Sequence, residues 1–260
     1  MSAESYNAHV VGRQDVHDSL MVLRVGKQSA EVPQFEPGQF SNLGLLEQED
    51  AVTEPHLLRR AFSISSPSSV RDYFEFYIQR VDHGAFTTRL WSLRPGDSLW
   101  LDPNVYGQFT LADVPATADV VFVATGSGVG PFISMLREYH GKQRWQSAAV
   151  IHSARAPADL GYHDELKSLA ARDPSFRYVP TLTREPEGSD WKGLRVRVQK
   201  LFEPEKFREL FGRELTPENL RIFICGNPEM IKELTAQLAE HGLRPHRRRN
   251  PGHIHTERYW

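Results

Sequence analysis

Gly126, Gly128 and Gly130 alternate with other residues and run directly into Pro131 in the stretch ATGSGVGPFISML (124–136). Glycine accepts tight backbone geometry and lets a ligand approach the main chain, and Pro131 suits a first helical turn, where its missing N–H is not needed. The uncapped N–H groups of such a turn, aided by the helix dipole, attract phosphate. By itself the turn is equally compatible with a structural corner. It is not the usual dinucleotide fingerprint, because Pro131 stands where a third spaced glycine is expected, and no Lys-Ser/Thr follows to make a Walker loop. The next apolar stretch sharpens the reading. A binder of a free ribose 2′-hydroxyl places Asp or Glu about 20 residues beyond the glycines, whereas HSARAPADL (152–160) places Arg155 there. TLTRE (181–185) adds Arg184 after the following strand, and KGLRVRV (192–198) adds Arg195. Arginines at consecutive strand ends suit a 2′-phosphate, hence NADP(H) over NAD(H).

Other chemistry-bearing residues are sparser. Cys225 is the single cysteine, which excludes an intramolecular disulfide and an iron–sulfur cluster held by four cysteines of this chain. A cysteine ending an apolar strand is most often inert packing. The histidines of HIH (253–255) supply two metal ligands without a third, so they are expected at the surface, and no metal site is expected. RPHRRRNPGH (244–253) is a basic block, while LEQEDAVTE (46–54) is acidic. The terminal Tyr259-Trp260 pair offers flat surfaces that either dock on their own core or cover something else.

The elements that must position these groups come in two styles. DSLMVLRVG (18–26), GQFSNLGL (38–45), RRAFSIS (59–65), YFEFYIQRV (73–81) and DSLWLD (97–102) read as short strands, with a helix over GAFTTRLWSL (84–93). Several such strands without regular helices predict an antiparallel barrel. After TLADVPATA (110–118) the rhythm changes to alternating strands and helices. Strands are expected over 119–126, 148–154, 176–184 and 219–226, and helices over 131–140, 162–172 and 228–242. That alternation predicts a parallel sheet covered by helices. The expected architecture is therefore two-domain: an antiparallel β-barrel over 1–112, then an α/β parallel-sheet nucleotide-binding domain over 113–260. A formal charge of −2 argues against a general polyanion binder. No signal-peptide pattern and no apolar run long enough for a membrane span is visible, so a cytoplasmic chain that meets neither nucleic acid nor membrane is expected, with a monomer as the default.

RAFS (60–63), GAFTT (84–88), ATGSGVGP (124–131), CGNPEM (225–230) and the terminal ERYW occur in an order that resembles the ferredoxin–NADP reductase family, in particular its bacterial ferredoxin/flavodoxin–NADP reductases. The resemblance implies that the barrel holds FAD. Arg60 would meet the FAD diphosphate, with Ala61 beside it. Phe62 would lie against the isoalloxazine, and the Ser63 hydroxyl would reach flavin N5. The family has Tyr at the position of Phe62, so the stacking surface is kept and a phenol hydrogen bond is lost. Tyr77, Ile78 and Gln79 would add to the FAD site, as would Phe86, Thr87 and Thr88 at a helix start. Thr125, Gly126, Gly128, Gly130 and Pro131 would hold the NADP diphosphate, with Arg155, Arg184 and Arg195 around the 2′-phosphate. Cys225 and Gly226 would edge the nicotinamide, Glu257 would place it or relay protons, Tyr259 would cover the flavin face, and Trp260 would stack on the FAD adenine.

The activity implied is hydride transfer between NADPH and bound FAD at N5, followed by single-electron exchange with ferredoxin or flavodoxin. The catalytic set is then Ser63, Cys225, Glu257 and Tyr259. An acidic electron carrier would be drawn to Arg244 and Arg247-Arg248-Arg249. Rival readings are a reductase serving an oxygenase, a free-flavin reductase, and a nucleic-acid module built on HRRR.

Overall fold

The computed structural model describes residues 6–28, 30–47, 56–81 and 84–258. The chain divides into two compact units. One runs to Leu111 and takes in Gly130–Glu138; the other comprises Ala112–Val129 and the residues from Tyr139 onward.

The first unit contains β1 (Ala8–His17), β2 (Leu20–Lys27), β3 (Phe40–Glu47), β4 (His56–Ser63), β5 (Phe74–Gln79), the short helix α1 (Ala85–Leu90) and β6 (Ser98–Leu101). The six strands form one antiparallel sheet in the order β4-β3-β6-β1-β2-β5. A bridge between Ile64 and Phe76 brings its two ends together, so the sheet curls into the expected barrel. Its interior is filled by Met21, Leu23 and Val25 from β2 and by Phe74, Phe76 and Ile78 from β5, each set alternating along its strand. β1 escapes the sequence reading because irregularities between Val10 and Gly12 and between Asp15 and His17 interrupt its alternation.

Most of helix α2 (Gly130–Tyr139) belongs to this unit. It buries the second face of β5, which alternation alone would leave in water. Glu75 is 2% exposed. Its carboxylate accepts from Arg24 Nε at 2.9 Å and from Arg137 Nη1 of α2 at 2.6 Å. Ser134 Oγ donates to the Ser66 carbonyl at 2.6 Å, fastening α2 to the turn that follows β4. A buried carboxylate with two cations is tolerable only because both its oxygens are hydrogen-bonded.

In the second unit lie β7 (Asp119–Thr125), β8 (Ser147–Ala154), α3 (His163–Arg172), β9 (Phe176–Leu182), α4 (Pro204–Phe211), β10 (Leu220–Gly226), α5 (Pro228–Glu240) and β11 (Ile254–Arg258). All five strands are parallel, in the order β11-β10-β7-β8-β9. Val121, Val123, Ile222 and Ile224 form one core face with Leu201, Phe202, Phe207 and Leu234. Pro180, which cannot donate to a ladder, is tolerated because β9 is an edge strand. The chain leaves β7 towards β8 and β9 on one side and returns to β10 on the other. The order therefore reverses between β7 and β10, the place where open parallel sheets bind ligands beyond their carboxyl ends. Among the described residues no helix is long and apolar enough to cross a membrane.

Candidate functional site

Each unit carries its own group of candidate residues. In the second, the turn after β7 and the end of β10 are shaped by two glycines. Gly126, at φ +52°, opens a short 3-10 turn over Gly126–Val129. A Cβ on Gly128 would stand 2.5 Å from the Cys225 carbonyl oxygen and 2.9 Å from the Gly226 nitrogen. Gly226, at φ +126°, would drive a Cβ into Thr125 Oγ1. The same Thr125 hydroxyl accepts from the Asn227 N–H at 2.8 Å. Thr125, Gly126, Gly128, Cys225 and Gly226 are thus brought together as a cradle of main chain, packed too closely at Gly128 and Gly226 to admit a Cβ. Asn227 caps α5 through its Oδ1, which accepts from the Glu229 and Met230 N–H groups at 2.9 and 3.1 Å.

Arg155 and Arg184 also meet. The Arg184 N–H donates to the Arg155 carbonyl at 3.0 Å, both side chains are exposed, and no carboxylate engages either among the described residues. Arg195 is held differently. Its Nη2 donates to Ser189 Oγ at 2.9 Å and to the Trp191 carbonyl at 2.6 Å, while its Nε is buried with no partner among the described residues. Arg195 therefore organises the loop behind Arg184, anchored by Trp191 against Ala154, Leu160 and Leu182.

Cys225 is fully buried, its Sγ 4.0 Å from Glu257 Oε2, because β11 runs beside β10 with Glu257 opposite Cys225. His255 is not a surface residue, contrary to the expectation for HIH. It is stacked between Phe223 and His246, each ring 4.2 Å away, and burial lowers its pKa to about 3. Among the described residues no cluster of three potential ligands could hold a metal. Arg247 and Asn250 close a turn through reciprocal backbone hydrogen bonds of 3.1 and 2.8 Å, displaying exposed Arg247, Arg248 and Arg249. Tyr259 and Trp260 lie outside the described residues.

In the first unit, β4 pairs along its length with β3 alone among the described strands. The outer edge of such a strand presents main-chain groups to a ligand. Arg60 and Ala61 are exposed, and among the described residues the Arg60 guanidinium reaches only the Arg59 carbonyl, at 2.7 Å. Phe62 is half-buried, its ring 6.0 Å from Phe86 of α1 and 6.3 Å from Phe76. RAFS and GAFTT therefore converge. Gly84 provides no side-chain cap for α1, leaving its first N–H groups without that partner. A cation unpaired and a helix start uncapped among the described residues, beside an edge strand, are what a dinucleotide diphosphate needs, and the half-exposed ring offers a stacking surface, so these residues fit FAD.

Not every expected residue presents its side chain. Ile78 and Phe86 belong to the core, and Thr87 turns its hydroxyl to the Val81 N–H at 3.1 Å. Tyr77 is buried beside Gly130. Ser63 is buried, whereas Gln79 and Thr88 are exposed. Gly130 and Pro131 open α2 in the first unit, where a Cβ on Gly130 would lie 2.9 Å from Ser65 Oγ. Sequence reasoning missed His152, whose Nε2 lies 3.0 Å from the Gly126 carbonyl oxygen. Its only signal is a lone imidazole inside the apolar run AAVIHSA.

A curled antiparallel sheet fitting a flavin dinucleotide and a parallel sheet with a glycine cradle at its switch point define a nucleotide-dependent oxidoreductase. The family described as the oxidoreductase NAD-binding domain matches residues 122–235. The chain is 31% identical to the flavodoxin/ferredoxin–NADP reductase of Escherichia coli (strain K12) over 246 residues, covering 94% of each. It is 34% identical to ferredoxin–NADP reductase B of Sorangium cellulosum over 262 residues, covering 100% of this chain and 99% of the other. A crystal structure of a ferredoxin–NADP+ reductase from Neisseria gonorrhoeae with bound FAD and NADP superimposes with a TM-score of 0.86, at 30% identity and 98% coverage of both chains. The chain belongs to the flavodoxin/ferredoxin–NADP reductase family.

Proposed function

We propose that this chain is a cytoplasmic FAD-dependent ferredoxin/flavodoxin–NADP+ reductase, with residues 1–112 serving FAD and 113–260 serving NADP(H). The observation that carries the reading is the cradle of Gly128 and Gly226 at the β7–β10 switch point, together with Arg155 and Arg184 side by side at the next two strand ends. When bound, FAD supplies hydride exchange with the nicotinamide at N5 and single-electron exchange with a ferredoxin or flavodoxin.

The chain's own residues bind and orient. Arg60 neutralises a diphosphate along β4, and the Phe62 ring provides a flat apolar surface without a phenol. Buried Ser63 donates its hydroxyl to the flavin ring. Arg155 and Arg184 offer planar forks to a 2′-phosphate, a geometry lysine does not match. Cys225 shapes the nicotinamide edge without covalent chemistry, and the neighbouring Glu257 carboxylate holds the nicotinamide or moves a proton. The partner is an acidic carrier drawn to the exposed Arg247-Arg248-Arg249 turn and Arg244, since complementary charge speeds encounter.

The test is NADPH-dependent cytochrome c reduction with added ferredoxin or flavodoxin. The rate should require the carrier, saturate with it and fall as salt rises. Reduction indifferent to the carrier would contradict the reading.

A further inference from the structure

β8 carries one imidazole in an otherwise apolar stretch, between β7 and β9 in the sheet. His152 stands opposite Ala124 on β7 and is fully buried. Its Nε2 lies 3.0 Å from the carbonyl oxygen of Gly126, the residue that opens the glycine turn. A carbonyl only accepts, so Nε2 carries the proton and the ring, if neutral, has a bare Nδ1. Desolvation lowers the His152 pKa to about 4, so the ring is neutral at ordinary pH. Nδ1 is buried and has no partner among the described residues.

An unpaired buried acceptor is destabilising, and an apolar side chain of similar shape would avoid it. The ring is therefore retained for what Nε2 does. Because a peptide unit is planar and trans, its C=O and N–H point in opposite directions. Fixing the Gly126 carbonyl towards His152 fixes the Ser127 N–H away from it. Glycine at 126 otherwise makes rotation of this peptide easy. Ser127 lies in the first turn of the 3-10 segment, whose leading N–H groups lack intrahelical acceptors.

We infer that His152 is a positioning residue: it pins the Gly126 peptide so that the Ser127 N–H is aimed at the diphosphate of NADP(H). This rests on the nucleotide site proposed above. His152 does not touch the nucleotide. It sets the direction of a donor that does, and its influence is confined to the diphosphate half of the ligand.

The test is calorimetric titration of the flavin-loaded protein with NADP+ and, separately, with 2′-AMP, which carries the 2′-phosphate but no diphosphate. His152→Phe keeps a ring and removes the donor; His152→Gln keeps an N–H donor near the Nε2 position. The NADP+ dissociation constant should rise at least about fivefold in His152→Phe, the equivalent of one lost hydrogen bond. Affinity for 2′-AMP and flavin absorbance per chain should be unchanged, and His152→Gln should stay within about twofold of wild type for both ligands. Wild-type NADP+ affinity in folded His152→Phe overturns the inference, as does equal weakening of both ligands, which would mark a merely structural role. Failure of the wild type to bind NADP+ would instead sink the nucleotide-site reading. Should His152→Phe not fold, the imidazole nitrogen resonances of the wild type decide: a neutral Nε2–H tautomer that responds to NADP+ supports the inference, and an Nδ1–H tautomer or no response overturns it.

Discussion

Gly128→Ala tests the cradle most sharply. The new methyl carbon would stand 2.5 Å from the Cys225 carbonyl oxygen, 2.7 Å from its carbon and 2.9 Å from the Gly226 nitrogen. All three are main-chain atoms, so no rotamer relieves the contact. β10 is held by β7 on one side and β11 on the other, so the turn must move. Restoring ordinary non-bonded separation requires a shift of roughly 1 Å. Forcing such a shift in a packed region costs about 1–3 kcal/mol, a fall of about 4–8 °C in melting temperature for a change near 2 kcal/mol. A displacement of that size in a positioning element can weaken function up to about 100-fold, so NADP+ affinity should fall about 10–100-fold. Thermal denaturation and calorimetric titration with NADP+ measure the two effects, while flavin content should be unchanged. Gly12→Ala is the control. Its Cβ would first meet the flexible Arg24 side chain, at 3.5 Å, and should change stability by no more than about 0.5 kcal/mol. Wild-type melting and wild-type NADP+ affinity in Gly128→Ala would refute the reasoning.

Further outcomes follow from other parts of the molecule. Arg155→Ala and Arg184→Ala should each raise the NADPH KM about 10–100-fold, the loss of hydrogen bonds to a charged group, and leave the NADH KM unchanged in steady-state assays. Glu75→Ala removes the carboxylate shared by Arg24 and Arg137; because Arg24 is partly exposed, the loss should be about 2–4 kcal/mol in urea denaturation, at the lower end of what broken buried pairs lose. His152 and His255 are held neutral, with pKa values of about 4 and about 3. The unfolded chain protonates both near the ordinary 6.5 stated for the free side chain, so it binds protons first and stability is lost as pH falls below that value. Between pH 7 and pH 5 the loss should be about 2 kcal/mol per histidine by linkage. Urea midpoints at the two values check this, and His255→Phe, which preserves the stack on Phe223, should remove about 2 kcal/mol of the dependence.

Much of this was legible in the sequence where the signal is local. Short runs rich in apolar residues, many of them separated by glycine, proline or aspartate, marked most strands of both sheets, and Arg155 and Arg184 could be paired because parallel strands that are neighbours in sequence end side by side. α4 carried a readable pattern in PEKFRELF, with Pro204 at its first position and Phe207 and Phe211 one turn apart, but the segment is short. β11 is five residues long and mixes polar with apolar side chains; its pairing with β10, helped by a bridge from Ile254 to Pro245, makes it a strand. The rest depended on distant contacts. Glu75 looks like the wet face of an alternating strand until α2 covers it. The need for glycine at 128 comes from the Cys225–Gly226 peptide, nearly a hundred residues away in the chain. Nothing beside His152 in sequence reveals that its Nε2 meets Gly126, and nothing beside Arg195 reveals that Ser189 and Trp191 already hold it.

The most direct measurement is an absorbance spectrum of the purified protein followed by anaerobic titration with NADPH and, separately, NADH. Protein carrying about one flavin per chain, bleached by about one equivalent of NADPH and far less readily by NADH, is the predicted result for a diphosphate cradle flanked by Arg155 and Arg184. Folded protein that is colourless and takes up no added FAD, or that responds equally to both nucleotides, would contradict it.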